Sequence, residues 1–401
     1  MKRASQLALW LDEVSRPEWI WYVKYLAAND TVATGAHQAG PLIGNQLFKN
    51  AFPAVLEKAK QSGTAEANIP VILDSHSVNR VVRVVWYLSK GEGRLTGWGG
   101  AHFPLLDADS TGALVVFAFH VPSFGMNADG CRVWLSRSPE EEDEIIEWTG
   151  PVEPGRGLLH SPFRSLEKLP SESSDRPCSV TARDAPYNWL VDFPSGADII
   201  AETVRRLPSA RKDQPDKRLL RRRDCEYELF RSLEKLLVLP RIKEGFATVD
   251  LFVDYANTLT NRRKSRSGKS LEIQAKLIFD EEGLSHSWGQ RTEGDRVPDF
   301  IFPSIERYRD SAWSDRKLRM LAAKTTCKDR WPQILNEARR VRTKYLLTLQ
   351  QGVSVSQFKQ MKEENVILVV PKPLHRSYPQ SVQPHLVSLE SFITETKRVC
   401  T

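Results

Sequence analysis

Residues 319–331 read RMLAAKTTCKDRW, an apolar run that ends in a group of charged residues. The part up to Ala323 has the length and composition of a buried strand. Lys324 follows that strand at once, and a second charged group, KDR, comes at 328–330. A buried strand that delivers so many charged side chains to one end predicts a functional site at the edge of a sheet.

The sequence around this stretch alternates between helix-like and strand-like patterns. Two long segments with helical periodicity come first, RDCEYELFRSLEKLLVL and SGKSLEIQAKLIFDEEGL. Short apolar runs, VPDFIFP, LRMLAAK, KYLLTLQ and NVILVVP, then alternate with predicted helices at about 331–342, 357–364 and 386–397. Such alternation predicts an α/β layer with a mixed sheet.

The first part of the chain has a different pattern. Its strand-like runs, IPVILDSH, NRVVRVVWYL, GALVVFAFHV and CRVWLS, are β-branched and aromatic and are separated by Gly, Asn and Asp, which predicts an all-β barrel or sandwich. The stretch LPSESSDRPCSVTARDAP, residues 169–186, has Ser, Pro and charge without periodicity and is predicted to be a linker. We therefore expect a β domain over 1–168 and an α/β domain over 187–401.

Composition limits the class of protein. A chain of 401 residues exceeds one ordinary core, which agrees with two domains. Its 57 basic and 50 acidic residues give a net charge of +7 and a pI near 9.1, which favours an anionic partner such as nucleic acid. The five cysteines are scattered and form no CxxC pair, so we expect neither a zinc site nor a disulfide framework. The N-terminus resembles a short amphipathic helix without a cleavage site, and no window approaches the roughly 20 apolar residues of a spanning helix, so we expect a cytosolic protein and no membrane partner.

Three residues of the second part have the chemistry of a metal-dependent phosphodiesterase. Asp299 precedes one predicted strand, Lys324 ends the next, 25 residues later, and Glu337 lies 13 residues further on, on a predicted helix. Phosphodiester hydrolysis needs a divalent metal and a cation near the phosphate, and Mg²⁺ needs few carboxylates. A generic PD-(D/E)xK motif has an acid two residues before its lysine; Ala322 stands there, and Glu337 would supply the missing carboxylate. The alternative is that the three residues belong to unrelated surface pairs.

The triplet Lys328, Asp329 and Arg330 matches the base edges of a C·G-rich major groove. Lysine and arginine donate hydrogen bonds to guanine O6 and N7, and aspartate accepts one from cytosine N4. The alternative is that Asp329 is the N-cap of a helix that begins at Trp331. Both interpretations can hold at once.

The segment MLAAKTTCKDRWPQILNEA, with NRRKSRSGKSLE and VPDF before it, closely resembles the EcoRII-type restriction endonucleases. The resemblance extends through nearly the whole chain, including LAANDTVATGAHQAG, TGALVVFAF, FPSGADII and NEARRVRTKYLLTLQQGVS. It implies an α/β restriction-endonuclease-like (PD-(D/E)xK) catalytic domain and an N-terminal all-β, B3-like pseudobarrel domain. It also implies a type II, IIE-like, Mg²⁺-dependent endonuclease that cleaves double-stranded DNA at a CC-x-GG-type site, with a second DNA copy as allosteric effector.

The resemblance implies roles for individual residues. Asp299, Lys324 and Glu337 become the active site, in which the two acids hold Mg²⁺, and Glu272 becomes an outer acid beside it. The other implied residues form three groups: Lys328, Asp329, Arg330 and Arg262 for DNA recognition; Arg222, Arg223 and Tyr227 for a pocket that receives flipped bases; and His37 with Lys90, Glu92 and Arg94 of the loop KGEGRLTGWGG for effector DNA.

The resemblance also implies a homodimer, and a cognate cytosine methyltransferase that acts on the same site without binding this chain. The alternative from another class is a catalytically silent B3-like DNA-binding regulator. The intact set of Asp299, Lys324 and Glu337 argues against that alternative. The sequence leaves open the central base pair, the flanking bases, the cleavage stagger, the methylation sensitivity and the persistence of autoinhibition by the N-terminal domain.

Overall fold

The structure is a computed structural model that describes residues 5–35, 40–161 and 178–400. His37, which was predicted to bind effector DNA, lies outside these ranges. So do residues 162–177, which include the first half of the predicted linker.

In the N-terminal part, eight strands of the described residues form one sheet, and its strands agree with the predicted β domain. The order is β2-β5-β4-β3-β7-β6-β1-β8, and neighbours are antiparallel except for the parallel pair of β3 and β7. The strands are β1 (Trp19–Tyr25), β2 (Leu42–Ile43), β3 (Thr64–Leu73), β4 (Val78–Tyr87), β5 (Glu92–Thr96), β6 (Leu114–His120), β7 (Gly130–Leu135) and β8 (Leu158–His160).

Helices pack on both sides of this sheet. They are α1 (Gln6–Glu13), α2 (Asn45–Ala51), α3 (Pro53–Ser62) and α4 (Pro139–Thr149). Phe48 and Phe52 of the α2–α3 corner pack with Phe117 and Phe119 of β6 in the main core. The predicted amphipathic helix is α1, which buries Trp10 with α4 against the other side of the sheet. Near the start of α4, Glu142 and Asp143 contact the second domain.

In the C-terminal part, five strands of the described residues form the predicted mixed sheet. The order is β13-β12-β11-β10-β9; β11, β12 and β13 are parallel, and β10 is antiparallel to β11 and β9. The strands are β9 (Ser287–Trp288), β10 (Phe300–Phe302), β11 (Arg319–Ala323), β12 (Lys344–Leu347) and β13 (Val366–Val369). The stretch that opened the sequence analysis is the central strand, β11.

Side chains of β11 alternate between two cores, as the two-residue period of a strand requires. Met320 and Ala322 face α9, α10 and Trp331, whereas Leu321 and Ala323 face α7, α8 and α11. The helices of this domain are α5 (Tyr187–Val191), α6 (Gly196–Arg206), α7 (Pro215–Glu244), α8 (Val249–Glu281), α9 (Ile305–Arg309), α10 (Val355–Glu363) and α11 (Leu389–Cys400). The two long helical segments in the sequence are α7 and α8. No helix among the described residues is long and apolar enough to cross a membrane.

The predicted helix at 331–342 is wrong. Only Trp331–Ile334 forms a short 3-10 turn, and Arg330 stands at its cap position without a side-chain cap, so Asp329 is not an N-cap. Beyond this turn the backbone is irregular, and Ala338 has a φ of 46°. The carbonyls of Glu337, Ala338 and Val341 bind Lys344, and this tertiary contact overrides the local helix preference.

The expectation that the cysteines form no disulfides is corrected for one pair. Cys178 forms a disulfide with Cys225 of α7, 47 positions later in the sequence. Next to it, Val180 N donates to Ser232 Oγ of α7 at 2.9 Å. The end of the predicted linker, from residue 178, therefore packs on α7. Sequence spacing cannot reveal this pair because it depends on a Cα–Cα distance of 5.1 Å that only the fold provides.

Candidate active site

The candidate active site lies where β10 begins and β11 ends. Because the two strands are antiparallel, Asp299 and Lys324 meet at one edge of the sheet. Asp299 Oδ2 accepts hydrogen bonds from Ala323 N at 2.8 Å and from Lys324 Nζ at 3.4 Å. Lys324 N donates to Leu347 O of β12 at 2.9 Å. The backbones of neighbouring strands therefore fix both charged groups.

Glu337 brings a second carboxyl group to this edge. Burial and the nearby Asp299 carboxylate raise the pKa of Glu337 to about 7, whereas Lys324 and Lys344 act in the opposite direction. Its Oε2 atom is buried without a hydrogen-bond partner among the described residues. The charges of Asp299 and Lys324 act on the pKa of Glu337, so the structure brings the three predicted residues together at this edge of the sheet and does not separate them into unrelated surface pairs.

Ala322 stands where the generic PD-(D/E)xK motif has its second acid, two residues before Lys324. Its side chain is fully buried and packs in the same core as Met320 and Ile334. A carboxylate at that position would enter an apolar core, where an unpaired charge is strongly unfavourable. Glu337 instead reaches the site from the turn that follows Ile334.

Glu272 forms its hydrogen bonds with a different set of residues. Its carboxylate accepts hydrogen bonds from Lys269 Nζ at 3.0 Å and from Trp288 Nε1 at 3.4 Å. Trp288 belongs to β9, which pairs with β10. The hydrogen bonds of Glu272 within the described ranges include none with the three central residues.

Lys328, Asp329 and Arg330, the triplet predicted to recognise DNA, lie on the turn that follows β11. Gln350 Oε1 accepts hydrogen bonds from the backbone N–H groups of Cys327 and Lys328, at 2.8 and 3.0 Å, and so fixes the turn. Lys328 Nζ binds the carboxylate of its neighbour Asp329 at 3.1 Å. The backbone of this turn is ordered by a side chain that follows β12.

Arg330 reaches across to the N-terminal domain. Its guanidinium lies 3.3 Å from Glu142 and 3.3 Å from Asp143, both on α4. A cleft of about 540 Å³ separates the two domains here, and Lys324, Arg330 and Glu142 are among the residues that line it. The N-terminal domain therefore faces the candidate active site with carboxylates.

The two arginines predicted for the flipped-base pocket have different environments. Arg222 is fully buried and pairs with Glu281 of α8 at 2.8 Å. Arg223 binds Glu153 of the N-terminal domain at 2.6 Å, and Arg266 of α8 binds the same carboxylate at 2.7 Å. These two arginines hold the pKa of Glu153 below its usual range despite burial.

Two predicted DNA-contacting side chains stack with other groups. The Tyr227 ring lies 4.7 Å from the guanidinium of Arg156, which belongs to the segment that follows α4. Arg262 lies 4.1 Å from the ring centre of Phe193. A side chain of the N-terminal domain therefore covers the Tyr227 ring. Arg262 lies on the side of α8 that faces α6.

The predicted effector residues Lys90, Glu92 and Arg94 lie on or just before strand β5, which is next to the last strand on one side of the N-terminal sheet. Lys90 ends a 3-10 turn, and its Nζ lies 5.5 Å from the ring centre of Tyr87. Glu92 and Arg94 lie on strand β5 and not on a loop, and Arg94 Nε is 3.6 Å from the Glu92 carboxylate. Only this pair among the predicted effector residues is joined by a contact in the described part of the chain.

The sequence contains no indication of several residues that contact the predicted site residues or their partners. The run PEEEDE at the start of α4 is visible as an acidic helix start, but no local signal pairs it with a turn almost 190 positions later. The missed residues are Glu142, Asp143, Glu153, Arg266 and Lys344.

A mixed sheet that carries a carboxylate–lysine pair at one edge, joined to a β pseudobarrel, defines a two-domain nuclease of the restriction-endonuclease class. Two family models match, "Restriction endonuclease EcoRII, N-terminal" over 15–162 and "EcoRII C terminal" over 230–393. The type II restriction enzyme EcoRII of Escherichia coli is 40% identical over 399 residues, with 96% of each chain covered. The chain therefore belongs to the EcoRII family of type II restriction endonucleases, site-specific enzymes that cleave DNA. This confirms the predicted fold class and enzyme class.

Other similarities cover parts of the chain. The type II restriction enzyme SsoII of Shigella sonnei is 29% identical over 126 residues, which are 29% of this chain and 40% of that one. Metal-depleted Ecl18kI in complex with uncleaved, modified DNA matches with 19% identity and a TM-score of 0.44, over 52% of this chain and 79% of that one. The B3 domain of the UbaLAI restriction endonuclease with cognate DNA matches with 17% identity and a TM-score of 0.27, over 39% of this chain and 98% of that one.

Proposed function

We propose that this enzyme hydrolyses phosphodiester bonds of double-stranded DNA at a CC-x-GG-type site in a Mg²⁺-dependent reaction, with Asp299, Lys324 and Glu337 as its active site. The observation that carries the proposal is the arrangement of these residues at one sheet edge. There, the Asp299 carboxylate accepts from Lys324 Nζ at 3.4 Å, and its charge raises the pKa of Glu337. This is the donor set that hydrolysis of a phosphodiester requires.

The two carboxyl groups fit a hard divalent cation. In the described ranges, no group of three or more His, Cys, Asp and Glu side chains could hold a metal ion. Mg²⁺ keeps several waters and needs one or two carboxylates, so Asp299 and Glu337 suffice. The orphaned Oε2 of Glu337 supports this role, since a bound cation would satisfy a buried oxygen. The ion would supply Lewis acidity and lower the pKa of a bound water.

The protein side chains would have separate tasks. The Lys324 ammonium, which is about a quarter exposed to the interdomain cleft, would bind the scissile phosphate and orient the attacking water. Asp299, held by Ala323 N, would keep that ammonium and the metal in fixed positions. Glu272, bound to Lys269 and Trp288, would act only from outside this group.

DNA recognition is assigned to two segments of the C-terminal domain, the turn after β11 and helix α8. Lys328, Asp329 and Arg330 would contact the C·G pairs of a half-site, and Arg262 would contact the DNA from α8. For the flipped base we favour Arg223 and Tyr227 over Arg222. The reason is that Arg222 is fully buried against Glu281 of its own domain, whereas Arg223 and Tyr227 also contact Glu153 and Arg156 of the N-terminal domain.

The contacts between the domains support control by a second DNA copy. Glu142 and Asp143 neutralise Arg330, and Glu153 neutralises Arg223, so carboxylates of one domain hold the DNA-binding cations of the other. DNA phosphates would compete for the same cations. We propose that effector DNA, bound through His37, Lys90, Glu92 and Arg94, draws the N-terminal domain away from the cleft.

Assembly as a homodimer would place one active site on each strand of a near-palindromic target. The end of the α7–α8 hairpin supports this, because it exposes apolar side chains that a partner copy would cover. The exposed residues are Leu239, Ile242, Val249, Leu251 and Phe252. A cognate cytosine methyltransferase would protect the same sites without binding this chain. We place the reaction in the cytoplasm, with the DNA.

Digestion of sequenced plasmids tests the proposal. With Mg²⁺, end mapping should give cuts at CC-x-GG-type sites, and Ca²⁺ should support binding without cleavage. Cuts at unrelated sequences would overturn the specificity, and binding without cleavage in every divalent metal would overturn the catalytic role.

Cleavage within 162–177 tests the control by the N-terminal domain. A protease site inserted there and then cut should raise the cleavage rate of a one-site plasmid, because the blocking domain can leave. The same protease added to the chain without the insertion is the control. An unchanged rate after complete cleavage and separation of the domains would refute autoinhibition.

A further inference from the structure

The turn that carries Glu337 is held in an unusual conformation. Residues 335–342, LNEARRVR, have good local helix preference, yet they form turns. Ala338, next to Glu337, has a φ of 46° and a fully buried side chain. The left-handed region is unfavourable for a residue with a Cβ atom, so other contacts must hold the turn in place.

Lys344 provides these contacts. Its side chain is buried, and Nζ donates hydrogen bonds to three carbonyl oxygens: Glu337 O at 2.5 Å, Ala338 O at 2.8 Å and Val341 O at 2.5 Å. An ammonium has three N–H donors, and all three bind this one turn. A buried lysine whose hydrogen bonds all go to one short backbone segment closes that segment into a fixed loop.

The base of Lys344 is itself fixed by the sheet. It is the first residue of β12, its N–H donates to Asn365 O at 3.0 Å, and it pairs with Val366 of β13. Strand β12 also lies beside β11, the strand that delivers Lys324. One side chain therefore connects the turn of Glu337 to the sheet that carries the other active-site residues.

Other side chains hold the outer parts of the same turn. Arg296 donates to Asn336 O at 2.7 Å, and Glu293 accepts from Arg339 N at 3.3 Å. Neither contacts the backbone of Glu337 itself. Lys344 donates directly to the carbonyl of Glu337, and this bond connects that residue to strand β12.

We infer that Lys344 is a positioning residue for the active site: its ammonium holds the turn of Glu337 so that this carboxylate faces Asp299 and Lys324. The inference rests on the proposed function, because it assumes that Glu337 acts in the reaction. Lys344 does not touch the substrate or the reacting atoms, and it acts through the placement of Glu337.

Lys344→Met tests the inference, since methionine keeps an apolar stem and removes the three donors. We expect kcat for DNA cleavage to fall about 100-fold, as a small misplacement of a catalytic group does. KM for DNA and DNA binding in Ca²⁺ should stay unchanged, because recognition uses other residues. Mn²⁺ binding to the DNA-free protein, measured by calorimetry, should weaken in parallel. Met361→Ala, a cavity in the same core, is the control for lost stability and should not weaken Mn²⁺ binding.

Two further variants decide the outcome. Lys344→Gln retains amide donors, so its kcat and its Mn²⁺ affinity should lie between those of the wild type and Lys344→Met. If Lys344→Met does not fold, Lys344→Gln is compared with Met361→Ala instead. In the background of Glu337→Gln, loss of the lysine should cause no further decrease of Mn²⁺ affinity. Folded Lys344 variants with wild-type kcat and Mn²⁺ affinity would overturn the inference. Full cleavage by Glu337→Gln would instead overturn the proposed active site.

Discussion

Lys324 and Arg330 are six positions apart, yet the structure holds them in different ways. Lys324 binds Asp299 within its own domain, and its backbone is fixed by β12. Arg330 binds two carboxylates of the N-terminal domain. Asp299 and Lys324 are therefore held together within one domain, whereas Arg330, a proposed recognition residue, is paired with carboxylates of the other domain. Under the proposed function, this difference predicts that control by the N-terminal domain acts on access to DNA and not on catalytic geometry.

The largest effect is expected from a change to the Asp299–Lys324 pair, which lies within one domain. Lys324→Ala should lower kcat by about 10²–10³-fold, because it removes a cation that stabilises the developing charge on the phosphate. The loss should be equal with the interdomain linker intact or cut, which single-turnover cleavage measures. Lys362→Ala, an exposed lysine of α10, is the control. Near-wild-type cleavage by Lys324→Ala would remove this lysine from the mechanism.

Arg330→Ala tests the side that is held by the N-terminal domain. It should lower discrimination at one guanine by about 1–3 kcal/mol, since a bidentate contact is lost. The measurement is a competition between a cognate duplex and one with that base pair exchanged, with Arg376→Ala, an exposed arginine outside the cleft lining, as control. Unchanged preference would mean that Arg330 serves only the contact between domains.

The raised pKa of Glu337 predicts how the metal affinity of the proposed active site depends on pH. Because its pKa is raised to about 7, the carboxyl group binds a proton below that pH and must lose it before it binds a metal ion. Metal affinity should therefore fall by up to about tenfold for each pH unit below 7. Calorimetry with Mn²⁺ between pH 5.5 and 8 measures this. A pH profile identical in Glu337→Gln would assign the titration to another group.

The smallest expected effect concerns the domain contact. Glu142→Gln with Asp143→Asn should raise cleavage of one-site DNA only about two- to fivefold, because partly exposed ion pairs contribute little and other domain contacts remain. Glu144→Gln, on the same helix but bound to Ser5, is the matched control. Equal rates for both variants at low salt would show that these carboxylates do not restrain Arg330.

The predictions from sequence succeeded where the signal was local. Strands β3, β4, β6, β7 and β10 to β13, and helices α7, α8, α10 and α11, follow from apolar periodicity, which reports burial directly. The helix predicted at 331–342 failed because its carbonyls bind Lys344, a residue beyond its end. The Cys178–Cys225 disulfide was missed for a similar reason, since the two residues meet only when the linker end packs on α7.

The sequence by itself determined the sheet strands, and it predicts the two-domain division and the residue types of the proposed active site, because each depends on the chemistry of short segments. Only the tertiary structure decided that Glu337 reaches the site from a turn, that Arg222 faces Glu281 while Arg223 faces Glu153, and that Arg330 meets acids from α4. The three ion pairs of these arginines join residues from 59 to 188 positions apart. Their strength depends on distance and burial in the folded chain, which no local pattern of residues encodes.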